Sequence, residues 1–152
     1  ARRLLREDWG VDAAVYSVTS WNELRRDGLA ADEHNYLYPE QEPKKAYVTS
    51  VLEQIDGPTV ATSDFENLVQ DQIRRWVPGE YYTLGANGFG FSDTRAAARR
   101  HLKIDAESMV VRALQGLADA GQIDRSVLQQ AIDKYDLFNA NAGTSGATGG
   151  DA

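Results

Sequence analysis

The first pattern along the chain predicts strands. Two short runs rich in apolar and β-branched residues, 13–20 and 59–63, each end in a serine that is followed three residues later by a glutamate. That spacing is the capping box, in which both side chains bond free N–H groups at the start of a helix. The two pairs are Ser20 with Glu23 and Ser63 with Glu66. The pattern therefore predicts two strand-to-helix units, which are typical of parallel α/β architecture.

The second pattern is helical. After Ser63, apolar residues at helical spacing predict one continuous helix that ends at residues 77–79, where a proline and a glycine follow one another. The residues of this stripe are Phe65, Leu68, Val69, Ile73 and Trp76. A similar stripe predicts a helix over residues 46–55. A third strand, 81–84, leads into a glycine-rich loop and then into a helix that begins near Ser92 or Asp93.

The chain becomes purely helical from Asp105 onward. Two apolar stripes predict two helices, with Gly121 ending the first and Asp124 capping the second. Residues 32–45 carry acids, two prolines and two tyrosines, which is typical of a long surface connection. Residues 139–152 are mostly small and polar, and we predict a flexible tail there.

The beginning of the chain adds one expectation about the fold. Residues 2–8 look like the end of an amphipathic helix, and a helix that opens a parallel α/β fold normally follows a strand. We therefore predict a mixed, mainly parallel sheet with helices on both faces, whose first strand lies upstream of residue 1. Residues 1–138 would form this domain, incomplete at its N-terminal end.

Composition narrows the functions that remain. The 152 residues include 16 Lys and Arg against 23 Asp and Glu, which gives a net charge of −7. Negative charge opposes binding to nucleic acid and to anionic membranes. The chain has no cysteine and two histidines, which excludes disulfides and Cys-ligated metal sites and makes a multi-His metal site a poor candidate. Because the chain has no cysteine, and therefore no disulfide, we expect it in the cytoplasm.

The glycine-rich loop is the strongest candidate for a functional or interface site. Its residues are Gly85, Asn87, Gly88, Phe89 and Gly90, followed by Ser92, Asp93 and Arg95. A loop before a helix can bind phosphate or carboxylate through backbone N–H groups, but the spacing G-x-x-G-x-G differs from that of dinucleotide-binding loops. The sequence is compatible both with a structural turn and with an anion-binding loop.

Other polar groups give weaker signals. His34, in the predicted connection, could carry a proton, whereas His101 follows two arginines in a basic stretch of helix. The acids at helix starts, Asp64 with Glu66 and Asp105 with Glu107, are explained by the helix dipole. The basic residues Arg95, Arg99, Arg100 and Lys103 fall largely along one helical face and favour acidic helices or another subunit as partner. No residue is predicted to be catalytic, to bind a cofactor or to ligate a metal.

Three long motifs resemble one family. They are residues 17–24 with 26–28, the loop 84–95, and residues 121–124, and they occur in order. Together they resemble the C-terminal domain of the homodimeric, thiamine diphosphate-dependent pyruvate dehydrogenase component, over residues 3–138. The chain departs from the family pattern at Asn87, where the family usually has aspartate, and at Tyr38, where it usually has histidine.

The resemblance implies a transketolase-like C-terminal domain within an oxidoreductase that links glycolysis to acetyl-CoA. In this family thiamine diphosphate and magnesium lie between upstream domains of two subunits, so no cofactor ligand is expected in these residues. The expected partners are those upstream domains, a second subunit and the dihydrolipoamide acetyltransferase. Two alternatives stay open, a stand-alone anion-binding module and an interaction domain for a partner subunit.

Overall fold

Seven α-helices and two β-strands follow one another in a computed structural model that describes residues 1–90 and 92–139. The helices are α1 (Arg2–Trp9), α2 (Trp21–Leu37), α3 (Tyr47–Leu52), α4 (Asn67–Asp71), α5 (Arg95–His101), α6 (Ala106–Asp119) and α7 (Arg125–Lys134). A 3-10 turn covers Arg74–Trp76, and the strands are β1 (Thr59–Thr62) and β2 (Tyr81–Leu84).

The two strands pair in parallel, which confirms the predicted α/β class. Their register runs from Thr59 opposite Tyr81 to Thr62 opposite Leu84. Neighbouring residues of a strand face opposite sides of the sheet. Tyr81 is buried on one side with Trp76, while the Tyr82 hydroxyl donates to Asp119 of α6 at 3.1 Å. Helical segments therefore cover both faces of the pair, as predicted.

Two apolar cores lie on either side of this sheet. One joins α3, the 3-10 turn and β2, and its buried residues are Ala46, Val48, Ile73, Trp76, Val77 and Tyr81. The other joins α1, α6 and α7, and its buried residues are Leu5, Val110, Leu114 and Ala131. The first core supports the sheet directly, whereas the second holds the three helices together.

The predicted strand over residues 13–20 is wrong for the structure described. These residues have no regular secondary structure, although Ser20 caps α2 by accepting from Glu23 N at 3.2 Å. Val15 is 70% exposed, and Tyr16 and Val18 are exposed as well. Sequence preference alone does not make a strand, because strand geometry is stabilised by hydrogen bonds to a neighbour. Within the described residues this segment has no such neighbour.

The continuous helix predicted after Ser63 is also wrong. Helix α4 begins at Asn67 and ends at Asp71, and the 3-10 turn follows it. Ser63 does not form the predicted capping box, since its Oγ accepts from Phe65 N at 3.1 Å in a tight turn. Phe65 and Leu68 of the predicted stripe are exposed, whereas Ile73 and Trp76 are buried.

Other boundaries shift by smaller amounts. The helix predicted over residues 46–55 is the shorter α3, and α5 begins after Thr94 rather than near Ser92 or Asp93. Helix α2 continues to Leu37, so residues 32–37 of the predicted connection are helical. The helices predicted over residues 2–8 and after Asp105 are confirmed by α1, α6 and α7. Residues 140–152 of the predicted tail lie outside the described residues.

A buried arginine joins three of the helices. Arg100 of α5 places its Nε 2.6 Å from Asp105 Oδ2, and its Nη2 lies 3.5 Å from Glu107 Oε2. Its Nη1 donates to the backbone oxygen of Tyr135 at 2.9 Å. The Arg100 side chain is only 3% exposed. A buried charge requires such partners, because an unpaired one would carry a large desolvation cost.

Tyr135 extends this network to α1. Its hydroxyl donates to Asp8 Oδ2 at 2.7 Å and accepts from Trp9 Nε1 at 2.8 Å, while Lys134 Nζ lies 2.7 Å from Asp8 Oδ1. The hydrogen bonds from Lys134 and Tyr135 lower the pKa of the Asp8 carboxyl. Burial raises the pKa of Tyr135 to about 12, and the Asp8 carboxylate acts in the same direction.

The raised pKa of Tyr135 predicts a loss of stability at alkaline pH. The unfolded chain releases this proton near a pKa of about 10, before the folded chain does, so the free energy of unfolding falls between about pH 10 and 12. We expect Tyr135→Phe to lower the free energy of unfolding at pH 7 by about 1 kcal/mol through its lost hydrogen bonds and to show a shallower alkaline decline. Urea titrations at several pH values measure both effects.

The matched control is Tyr36→Phe, which removes a phenol that is 83% exposed. Burial also raises the pKa values of Tyr81 and Tyr82, so part of the alkaline decline remains in both variants. If the two variants decline with the same slope, Tyr135 does not carry the expected linkage.

Candidate functional site

The glycine-rich loop lies at the carboxyl end of the parallel strands. It follows β2 directly, and two hydrogen bonds fasten it to the segment after β1. Ala86 N donates to Phe65 O at 2.9 Å, and Asn67 N donates to Asn87 Oδ1 at 3.1 Å. The carboxyl ends of parallel strands are where ligands usually bind in open α/β sheets. The loop singled out from the sequence therefore lies at the edge of the sheet where a ligand site is expected.

Gly85 permits the close approach of the two segments. A Cβ atom at this position would lie 2.4 Å from Asn67 Oδ1 and 2.5 Å from Phe65 O. Gly88 has a φ of 88°, a conformation that side chains disfavour, and it turns the loop. These glycines are explained by backbone geometry, which supports the structural interpretation of the turn.

Three backbone donors around the loop have acceptors within the domain. Besides Ala86 N, Asn87 N donates to Gly85 O at 3.0 Å and Thr94 N donates to Asp93 Oδ1 at 2.7 Å. The Thr94 hydroxyl accepts from Ala97 N at 3.2 Å at the start of α5. An anion held by these three N–H groups would have to displace their present acceptors, which disfavours an anion site built on them.

The exposed residues of the loop offer a surface instead. Phe89 is 99% exposed, and Gly90, Ser92 and Asp93 are exposed beside it. Arg95 begins α5 and lines an open cleft of about 230 Å³ next to the loop. The loop thus presents an aromatic side chain and a guanidinium at the same edge of the sheet.

The two histidines occupy separate helices. His34 lies on α2, and its ring is 5.1 Å from that of Tyr38, centroid to centroid. His101 ends α5. The two histidines thus lie on different elements, and the absence of a catalytic role for either one stays a prediction.

The predicted basic face of α5 separates into two parts. Arg95 is exposed and Arg99 is half-buried, whereas Arg100 is buried in the ion pairs described above. Lys103 lies beyond the end of the helix with a φ of 58°. Asp105 caps α6 and pairs with Arg100, so dipole compensation was only part of its explanation.

Sequence reasoning missed the polar contacts behind the loop. The Gln70 side chain is fully buried and contacts the Ser63 hydroxyl. With its amide oxygen turned toward Ser63, it accepts from Ser63 N at 3.2 Å, and its amide nitrogen donates to Asn67 O at 3.1 Å. Asn67 Nδ2 donates to Thr83 O of β2 at 3.3 Å. Polar residues on a predicted apolar helix were the available signal.

The family resemblance implies a thiamine diphosphate and magnesium site in other domains, and this stays a prediction. Among residues 1–90 and 92–139, no three His, Asp or Glu side chains gather as a metal site would require. No helix in the same ranges combines the length and hydropathy needed to cross a membrane.

The fold and this loop define a domain class. Residues 1–105 match the family model of the transketolase-like TK C-terminal domain, and the chain belongs to that family. The chain is also similar to curated pyruvate dehydrogenase E1 components. It is 51% identical to that of Mycolicibacterium smegmatis over 153 residues, which covers 100% of this chain and 16% of the relative.

Further relatives show the same relation. The identity to the Corynebacterium glutamicum E1 component is 52% over 137 residues, and to that of Escherichia coli K12 it is 42% over 138 residues. Each match covers 90% of this chain and 15% of the relative. The chain therefore spans about a sixth of the length of the relatives it matches, and the resemblance noted from the motifs is confirmed.

The two departures from the family pattern have different contexts. Asn87 uses its side-chain oxygen to accept from Asn67 N, and an aspartate oxygen could accept the same bond. The turn therefore keeps its acceptor with either residue. Tyr38 is half exposed and packs beside His34, away from the loop contacts.

The close approach at Gly85 predicts a position-specific effect. We expect Gly85→Ala to lower the free energy of unfolding by about 1–3 kcal/mol, because the added methyl group meets backbone and amide oxygens. Gly90→Ala is the matched control, since a Cβ there meets nothing within 4 Å. Thermal and urea unfolding of both variants measure the difference, and equal stability of the two would contradict the assigned role of Gly85.

Proposed function

We propose that this chain is the noncatalytic C-terminal domain of a pyruvate dehydrogenase E1. The parent would decarboxylate pyruvate with thiamine diphosphate and magnesium held by upstream domains. It would then pass the acetyl unit to the lipoyl group of a dihydrolipoamide acetyltransferase, acting as a cytoplasmic homodimer. The observation that carries the proposal is the match of the whole chain to one sixth of a single E1 relative.

The described residues support a scaffold role for the chain itself. Arg100 lies within ion-pair distance of Asp105 and Glu107 inside the domain, and the two histidines lie on different helices, α2 and α5. The chemistry of the parent is accordingly assigned to the polypeptide that precedes this domain in its relatives. The domain boundary at residue 138 is part of the same proposal.

Exposed apolar residues indicate where that polypeptide would pack. Val15 and Tyr16 are exposed in the segment that was predicted to be a strand and that pairs with no strand among the described residues. We propose that upstream residues supply the missing strand beside it. Phe65, Leu68 and Phe89 are exposed around the carboxyl end of the sheet, and this second surface would meet upstream domains or the second subunit.

A chimera tests the assignment of activity. In it, this chain replaces the matching region of the M. smegmatis E1 component, and pyruvate turnover is measured with thiamine diphosphate, magnesium and an artificial electron acceptor. We expect no turnover by the 152-residue chain alone and turnover by the chimera. Turnover by the isolated chain, or a folded and dimeric chimera without activity, would overturn the proposal.

A substitution in the same chimera tests the interface role of the loop. We expect Phe89→Ser to shift the monomer–dimer equilibrium toward monomer by about tenfold, because burying an aromatic ring stabilises an interface by a few kcal/mol at most. Phe138→Ser is the control, as Phe138 is 87% exposed and lies beyond α7, in a different segment from the loop. Sedimentation equilibrium measures both. Equal dissociation constants for the two variants would remove Phe89 from the interface.

A further inference from the structure

An open cleft between the end of β1 and helix α5 is lined by three charged side chains that have no ion-pair partner among residues 1–90 and 92–139. The cleft has a volume of about 230 Å³, and its charged lining residues are Asp64, Arg95 and Arg99. None of the three forms an ion pair or a side-chain hydrogen bond with another described residue, whereas Arg100 on the same helix lies within ion-pair distance of Asp105 and Glu107 and donates to Tyr135 O. Unpaired charges facing one cleft are available to a ligand.

The two arginines are positioned to act together. They lie four residues apart on α5, so they are neighbours on one helix surface. A guanidinium has a planar set of donors that matches the two oxygens of a carboxylate. The pair can therefore hold one carboxylate group between them, and Arg99 is already half-buried at the cleft wall.

The rest of the cleft is apolar. Its other lining residues are Ala86, Ala98, Leu102 and Ile104, of which Ile104 is buried. These side chains offer contact to an aliphatic group but supply no polar side-chain atom. A ligand that used both parts of the cleft would carry its charge at one end and an aliphatic body behind it.

Asp64 restricts the charge of the ligand. The cleft contains two positive side chains and one negative one, so its formal charge matches a single anionic group. A phosphate or a dicarboxylate would bring a second negative charge toward Asp64, which is unfavourable at short distance. The volume is also below the roughly 300–1,000 Å³ typical of sites for larger ligands.

We propose that this cleft binds a single carboxylate on an aliphatic body, with Arg95 and Arg99 holding the carboxylate and Ala98, Leu102 and Ile104 contacting the aliphatic part. The group is either a small free carboxylate or an acidic side chain flanked by aliphatic residues in a polypeptide. The site uses side chains of α5, so it is distinct from an anion site built on the loop N–H groups.

Amide chemical shifts of the 152-residue chain provide the test, after circular dichroism has established that each variant is folded. The probes are 4-methylpentanoate, the capped peptide acetyl-Leu-Glu-Leu-amide and inorganic phosphate. We expect saturable shifts at residues 64, 86 and 98–104 with at least one carboxylate probe, with a Kd on the order of 1 mM. The tighter of the two carboxylate probes identifies the source of the group, and either result supports the site.

Variants separate specific binding from general charge effects. We expect Arg99→Gln and Arg95→Gln each to weaken carboxylate binding roughly tenfold, because a charge-assisted contact is lost. Arg25→Gln is the control, since Arg25 is an exposed α2 residue with no side-chain contact to the cleft. Asp64→Asn should tighten carboxylate binding several-fold and admit phosphate, whereas the control Asp56→Asn should do neither.

Three outcomes would overturn the proposal. Absence of saturable shifts at the cleft with both carboxylate probes removes the site. Phosphate binding as tight as that of 4-methylpentanoate in the unsubstituted chain contradicts the assigned chemistry. An Arg99→Gln effect no larger than that of Arg25→Gln shows that the arginine does not hold the ligand. None of these measurements depends on the activity of a parent enzyme.

Discussion

The buried guanidinium of Arg100 is the contact on which the arrangement of the C-terminal half depends. It links α5 to the start of α6 through Asp105 and to the end of α7 through the backbone oxygen of Tyr135. Such a group is costly to remove from water, so it stabilises only the arrangement in which all its partners are present. Helix α5 is thereby fixed in orientation, and its outer residues Arg95 and Arg99 face the cleft. The contacts of Arg100 offset the cost of burying its charge, while Arg99, the preceding residue on the helix, remains available to a ligand.

The carboxyl end of the sheet depends on a second constraint, the close approach of the segments that follow the two strands. Gly85 permits the approach, and the hydrogen bonds of Ala86 and Asn87 hold it. The same contacts occupy backbone donors that a phosphate-binding loop would leave free. A glycine-rich sequence between a strand and a helix therefore serves here to pack two segments, and the same loop leaves Phe89 exposed.

Most local signals at helix ends were read correctly from the sequence, although the Ser63 capping box was not, and several nonlocal contacts were missed. Asp105 and Asp124 cap their helices, and Gly121 ends α6 with a φ of 71°, because these effects involve only neighbouring residues. The strand predicted at residues 13–20 requires a pairing partner that the described residues do not contain, and a single β-branched run says nothing about that partner. The predicted helix after Ser63 does not form before Asn67, where the segment contacts the glycine-rich loop about twenty residues further along the chain. The apolar spacing in the sequence gives no sign of these contacts. Arg100 looked like one of several surface cations, and only tertiary structure shows that it is buried.

Charge operates on two length scales in this domain. The net charge of −7 repels polyanions, but at physiological ionic strength salt largely screens this repulsion beyond about 8 Å. Arg95 and Arg99 of α5 have no ion-pair partner in the part of the chain that the structure describes, and they dominate at contact distance. Asp64 limits the ligand that they accept to a single negative charge. A chain with a net negative charge can thus bind a carboxylate where its surface is locally positive. The apolar floor then contributes selectivity that the charges alone do not supply, since an aliphatic body gains by leaving water while a small inorganic ion does not.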